Sequence, residues 1–122
     1  MMYRIHVDAA RSIVEVTLGG LMSVAEVDTY IADLKQEFIA HGLRDYAMII
    51  DVCACPIQPQ EMIRRMGEHM ATMPKARALA VVTGSSLARM QIRRLFTQSY
   101  ARIVATPADA RAWVVSGTEP LT

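Results

Sequence analysis

The sequence predicts an α/β fold: a mostly parallel sheet of about five strands, opened by an N-terminal antiparallel hairpin and accompanied by four helices. Three observations predict it. Short apolar or alternating runs at 3–7, 13–18, 46–52, 78–82 and 101–105 suit strands. From the second run onward, each is followed by a segment with helical start and stop signals. Strands that alternate with helices need right-handed crossovers and therefore pair in parallel.

Tyr3, Ile5 and Val7 alternate with Arg4 and His6, the pattern of a half-buried strand. After the polar break 8–11, Ile13, Val14, Val16 and Leu18 supply a second strand, and the short break implies a hairpin ended by Gly19 and Gly20. The next element is predicted over 23–41. Ser23 and Glu26 have capping-box spacing, and Met22 and Val27 are placed for a hydrophobic staple. Val27, Ile31, Leu34 and Phe38 keep helical spacing, and Gly42 is a left-handed stop. The run 46–52 is almost wholly apolar, as a strand covered on both faces requires.

Pro56 and Pro59 bracket a loop, with Pro59 in the first turn of a second helix. Met62, Met66, Met70 and Met73 form a stripe along that helix until Pro74 stops it. Ala78 to Val82 is another buried strand. Ser85 or Ser86 caps a third helix expected to reach about Ser99, and 101–105 forms the last strand. Thr106, Pro107 and Asp109 signal a fourth helix, with Ala110, Trp113 and Val114 on its apolar side and Gly117 at its end. The expected organisation is one domain over 1–122, with 117–122 a loose tail.

Composition narrows the function classes. The chain has 122 residues, 52% hydrophobic and 20% charged, enough to bury a core and too apolar for long-range disorder. No apolar run approaches the roughly 18 residues of a membrane span, and the N-terminus lacks a signal-peptide pattern. Two cysteines do not make a disulfide framework, so a cytoplasmic location is expected. Residues 1–61 carry four basic and nine acidic groups, and residues 62–122 carry nine basic and three acidic. Interleaving of the halves in the folded chain is the simpler reading of that asymmetry. A pI of 7.8 and 6% aromatic residues argue against a nucleic-acid partner.

Taken in order, Val14-Glu15-Val16-Thr17-Leu18-Gly19-Gly20-Leu21, Met48-Ile49-Ile50-Asp51-Val52, Leu79-Ala80-Val81-Val82-Thr83 and the terminal run 108–114 resemble the STAS superfamily. That superfamily is named for sulfate transporters and anti-sigma-factor antagonists, and the chain is most similar to its small stand-alone SpoIIAA-like branch. The likeness spans about residues 3–115. It implies a protein that works by binding rather than by chemistry. In anti-sigma-factor antagonists, a serine or threonine just after the central strand is phosphorylated and changes which partner fits, since phosphate adds charge at a helix N-terminus. Here no serine or threonine occurs between Asp51 and Met70, so that switch does not carry over. Asp51 alone matches, and its simplest role is a loop carboxylate holding backbone N–H groups.

Candidate ligand-binding residues are Asp51, Cys53 and Cys55 at the end of the central strand, where open α/β sheets collect ligands, and Met62, Met66 and Met70 on the methionine stripe. In an extended strand Cys53 and Cys55 would share one face. They lack the C-x-x-C spacing of a redox pair and the further ligands of a zinc site, so two small buried residues are the simpler reading. Methionine packs adaptably, which suits an apolar ligand, but an amphipathic helix packed on the core is the simpler reading of the stripe. Ser85, Ser86, Arg89, Arg93 and Arg94 are candidate anion or partner contacts, because hydroxyls at a helix start and a basic face could hold an anion or an acidic partner. His6, His41 and His69 form no recognisable motif. No metal site, cofactor motif or catalytic signature is visible.

The sequence therefore predicts a non-enzymatic binding or regulatory module, partnered by another protein or by a second copy as a homodimer, with no cofactor. A carrier of a small apolar ligand or lipid is the alternative, and a thiol-dependent enzyme using Cys53 and Cys55 ranks below it.

Overall fold

In the computed structural model of the chain, which describes residues 2–56 and 58–120, the opening alternation forms β1 (Met2–Asp8) and β2 (Ile13–Gly19). They pair antiparallel, with Ile5 opposite Val16. Helix α1 (Val24–His41) begins where its capping box lies. Ser23 Oγ accepts from the Glu26 N–H at 3.2 Å, and the Glu26 carboxylate accepts from the Ser23 N–H at 3.3 Å. Gly42, at φ 58°, closes it in the left-handed conformation that glycine adopts without strain.

The remaining elements are β3 (Ala47–Ala54), α2 (Gln60–Thr72), β4 (Ala78–Val82), α3 (Ser86–Arg93), β5 (Ala101–Val104) and α4 (Pro107–Ser116). The sheet order is β1-β2-β3-β4-β5, and every pair after the hairpin is parallel. Alternation along the strands divides the core in two. Val14, Val16, Met48, Ile50 and Leu79 pack with Val27, Tyr30 and Leu34 of α1 and Met62 and Met70 of α2. Val81 packs on Ala88 and Ile92 of α3, on the same side. Ile13, Ala47, Ile49, Ala78, Ala80 and Val82 meet Ala110 and Val114 of α4 on the opposite face. Small side chains there let one short helix lie close to the sheet.

Besides one-residue shifts at several element ends, four features differ from the sequence expectation, each for a physical reason. β3 continues past Val52 because its pairing with β2 extends through a register shift to Gly19 opposite Ala54. Pro59 precedes α2 as its cap residue, with φ −59° and ψ 152°, rather than sitting inside the first turn. α3 ends at Arg93 instead of near Ser99. The N–H groups of Leu95 and Phe96 both bond to the Ile92 carbonyl, and the turn carries Phe96 onto the core. The tail is not loose as far as it is described. Thr118 N–H bonds to Ala112 O, and Arg102 grips the Glu119 carboxylate with two hydrogen bonds of 2.7 and 2.8 Å while lying over the Trp113 ring. Residues 121–122 of that predicted tail lie outside the described residues.

The charged halves interleave. Arg65–Asp28, Arg77–Asp45 and Arg111–Glu15 each join a base of the second half to an acid of the first.

Candidate functional site

The C-terminal ends of β2, β3 and β4 meet α2 and α3 around an apolar cleft of about 70 Å³. Leu18, Ile50, Val52 and Val81 supply its sheet side. Met62 and Met66 of α2 and Ala88 and Ile92 of α3 supply its helix side, and Leu95 and Phe96 line it because α3 ends early. Cys55, Pro56 and Gln58 complete it from the loop between β3 and α2.

Gln58 fastens that loop. Its N–H donates to Gln91 Oε1 at 3.2 Å, and Gln91 Nε2 donates back to the Gln58 carbonyl at 2.9 Å. The Gln58 side-chain amide donates to the carbonyls of Gly20 (3.2 Å) and Pro56 (2.8 Å), and its Oε1 accepts from the Met22 N–H (3.2 Å). One glutamine thus ties the β2–α1 connection, the β3–α2 loop and α3 together, a network whose members reinforce one another. A pocket for a drug-sized or acyl ligand holds about 300–1,000 Å³, several times this cleft.

The candidate ligand residues divide here. Cys55, Met62 and Met66 line the cleft, whereas Asp51, Cys53 and Met70 do not. Met70, 8% exposed, belongs to the core under α2. Asp51 Oδ1 accepts the Cys53 N–H at 3.0 Å, the local bond of a carboxylate closing a strand end. Cys53 and Cys55 do not share a face. β3 ends at Ala54, and a turn with Cys55 N–H bonded to Val52 O at 3.0 Å carries Cys55 to the cleft. The Cys53 thiol lies instead 3.8 Å from the Val82 carbonyl. Burial pushes the Cys55 thiol up to about 11, with Asp51 and Cys53 adding to the shift. The Cys53 thiol is also raised, by burial and then by its hydrogen bond to Asp51. Both environments favour the neutral thiol over the nucleophilic thiolate.

The second candidate group does not converge either. Ser85 caps α3, its Oγ accepting from the Ala88 N–H at 3.1 Å, and Ser86 opens the helix. Arg89 is half-buried and donates to the Ile103 carbonyl at 3.0 Å. Arg93 and Arg94 lie at the other end of the helix, about 12 Å away at 1.5 Å per residue. Hydroxyls and free guanidinium groups therefore do not meet in one anion site.

Sequence reasoning missed Gln58 and Gln91. They stand 33 positions apart and carry no periodic or motif signal. His69, for which the sequence showed no motif, is 5% exposed, and neither ring nitrogen has a hydrogen-bond partner among the described residues. Among the described residues, no three His, Cys, Asp or Glu side chains are grouped to hold a metal ion, and no helix is long and apolar enough to cross a membrane.

No protein-family profile and no curated protein matches the chain. Its architecture does have a relative among solved structures. The crystal structure of an anti-sigma factor antagonist from Mycobacterium paratuberculosis superimposes with a TM-score of 0.66, covering 93% of this chain and 94% of that one, at 14% sequence identity. The chain therefore has the STAS-like α/β fold expected from its sequence.

Proposed function

We propose that this chain is a non-catalytic regulatory module that acts by binding another protein, and that it does so without a phosphorylated serine. One observation carries this reading. The place where α/β folds gather their reactive groups is occupied by a small apolar cleft fastened by amides, whose one lining thiol, Cys55, is pushed toward its neutral form by burial. The likeness to an anti-sigma factor antagonist agrees with it. At the start of α2, where the resemblance puts the phosphorylated residue, this chain has Gln58 bound into its neighbours and no hydroxyl. Partner choice is then set by shape and charge rather than by modification at that point. Affinity isolation of the tagged chain from its own cells, over a range of salt, tests the proposal. A stable protein partner is expected, and none at any salt would overturn it.

A second reading rests on Met62 and Met66 beside the same cleft: a carrier of a small apolar ligand. It requires the β3–α2 loop to move, because the closed volume is too small. Native mass spectrometry of freshly purified protein separates the two. An extra mass that disappears on denaturation favours the carrier, and a bare chain or bare dimer favours the module.

A further inference from the structure

We infer that the outer face of α3 and the adjoining start of α2 form a docking surface for an acidic amphipathic segment of another protein. The inference rests on the binding-module reading above and says where and what that module binds. α3 has two apolar aspects. Ala88 and Ile92 turn inward and are buried. Leu87 and Met90 turn outward and are 67% and 62% exposed. With Arg94 they fall at i, i+3 and i+7 along one side of the helix, so their side chains form a continuous stripe. That stripe forms one wall of a groove of about 230 Å³, and Gln60 and Ile63 of α2 form the other. Ile63 and Gln91 belong to both this groove and the apolar cleft, so the groove lies directly beside the Gln58–Gln91 clasp.

Charge decides the occupant. From His69 to Ala108 the chain has six basic residues and not one carboxylate. Arg77, Arg89 and Arg102 of this stretch are tied to carbonyl or carboxylate oxygens. Arg93 and Arg94, exposed at the end of α3, are flanked by no acid in sequence, and Glu61 does not line the groove. An apolar stripe ending in guanidinium groups suits a helix that seats one or two aliphatic side chains on Leu87, Met90 and Ile63 and places carboxylates over Arg93 and Arg94. Met and Arg are enriched in interface cores for the same reasons of adaptable packing and charged hydrogen bonding. A second copy of this chain fits poorly. The groove lining contains no carboxylate, so a two-fold contact through this face would leave the arginines of both copies without an acidic partner.

The test is site-specific photo-cross-linking with the full chain. Benzoylphenylalanine is placed at Leu87 and, in a separate protein, at Ile39, which is 74% exposed on α1. Each is irradiated in lysate of the native cells, and the adduct peptide is sequenced. The expected result is an adduct from position 87 to a segment rich in Asp and Glu with interspersed aliphatic residues. It should be absent from position 39 and reduced about tenfold or more by Arg94→Glu. The synthetic adduct segment should bind the unmodified chain, and Leu87→Asp should weaken that binding about tenfold or more. A captured partner that cross-links from position 39 and not from 87 would overturn this surface while leaving the binding-module reading intact. So would a position-87 adduct to a basic segment, to nucleic acid or to a second copy. Capture of no partner by either protein or by the unmodified tagged chain would overturn both.

Discussion

Replacing His69 with leucine probes the contact between α1 and α2. The ring is 5% exposed, packs edge-on against Tyr30 at 6.2 Å, and has no hydrogen-bond partner at either nitrogen among the described residues. Each buried polar group without a partner costs about 1–3 kcal/mol. Leucine removes both at similar volume and is the better helix former. It also gives up the ring contact with Tyr30, about 0.5–1.5 kcal/mol. The balance predicts that His69→Leu stabilises the fold by about 0.5–5 kcal/mol at pH 7.5, or roughly 3–6 °C in Tm for each kcal/mol. The pH dependence is sharper. Burial first, and then the charges of Lys35 and Arg65, hold the folded-state pKa of His69 below 6.5, although Glu68 also lines this part of the α1–α2 contact. Above pH 6.5 the ring is neutral in both states and contributes no slope. Below 6.5 the unfolded chain takes up a proton that the folded chain refuses. Stability therefore falls with pH, by up to about 1.4 kcal/mol per unit, until the folded pKa is reached. Leucine abolishes that term. Urea denaturation of both proteins at pH 7.5, 6.5, 5.5 and 4.5 isolates it, since every other titrating group is common to the pair. The advantage of the variant should grow as pH falls below 6.5. Parallel stability curves would refute the reasoning.

Three further outcomes follow from individual contacts. Ser23→Ala should lower stability by about 0.5–2 kcal/mol through loss of the α1 cap, and an unchanged denaturation midpoint would contradict the start of that helix. Gln91→Ala removes both hydrogen bonds to the Gln58 main chain and should cost about 1–3 kcal/mol, with faster hydrogen exchange at the Gln58 N–H; unaltered exchange would show that the clasp does not hold the loop. Cys55, with its thiol pushed up from 9.0 to about 11, should carry about 100-fold less thiolate at neutral pH than an unperturbed cysteine; rapid alkylation at pH 7.5 in a Cys53→Ala background would contradict that environment.

Local signals in this chain were legible because their physics is local. The Ser23–Glu26 box, Gly42, Thr106-Pro107 and Gly117 mark helix ends through groups three or four residues apart, and α1 and α4 begin and end beside them. Alternation against continuous apolar runs separated the edge strand β1 from the covered strands β3 and β4, and the crossover rule then settled parallel pairing. The end of α3 was illegible from 85–99 alone, because Phe96 leaves the helix to reach a core built by distant strands.

The sequence by itself determined the class of fold, the order of its elements and the absence of a hydroxyl after β3, since each depends on periodicity, capping or residue identity. Tertiary structure alone decided which of the singled-out residues meet. It separated Cys53 from Cys55, kept Ser85 and Ser86 away from Arg93 and Arg94, left Met70 in the core, and joined Gln58 to Gln91. Those outcomes depend on contacts between residues far apart in the chain, which no spacing within a single element encodes.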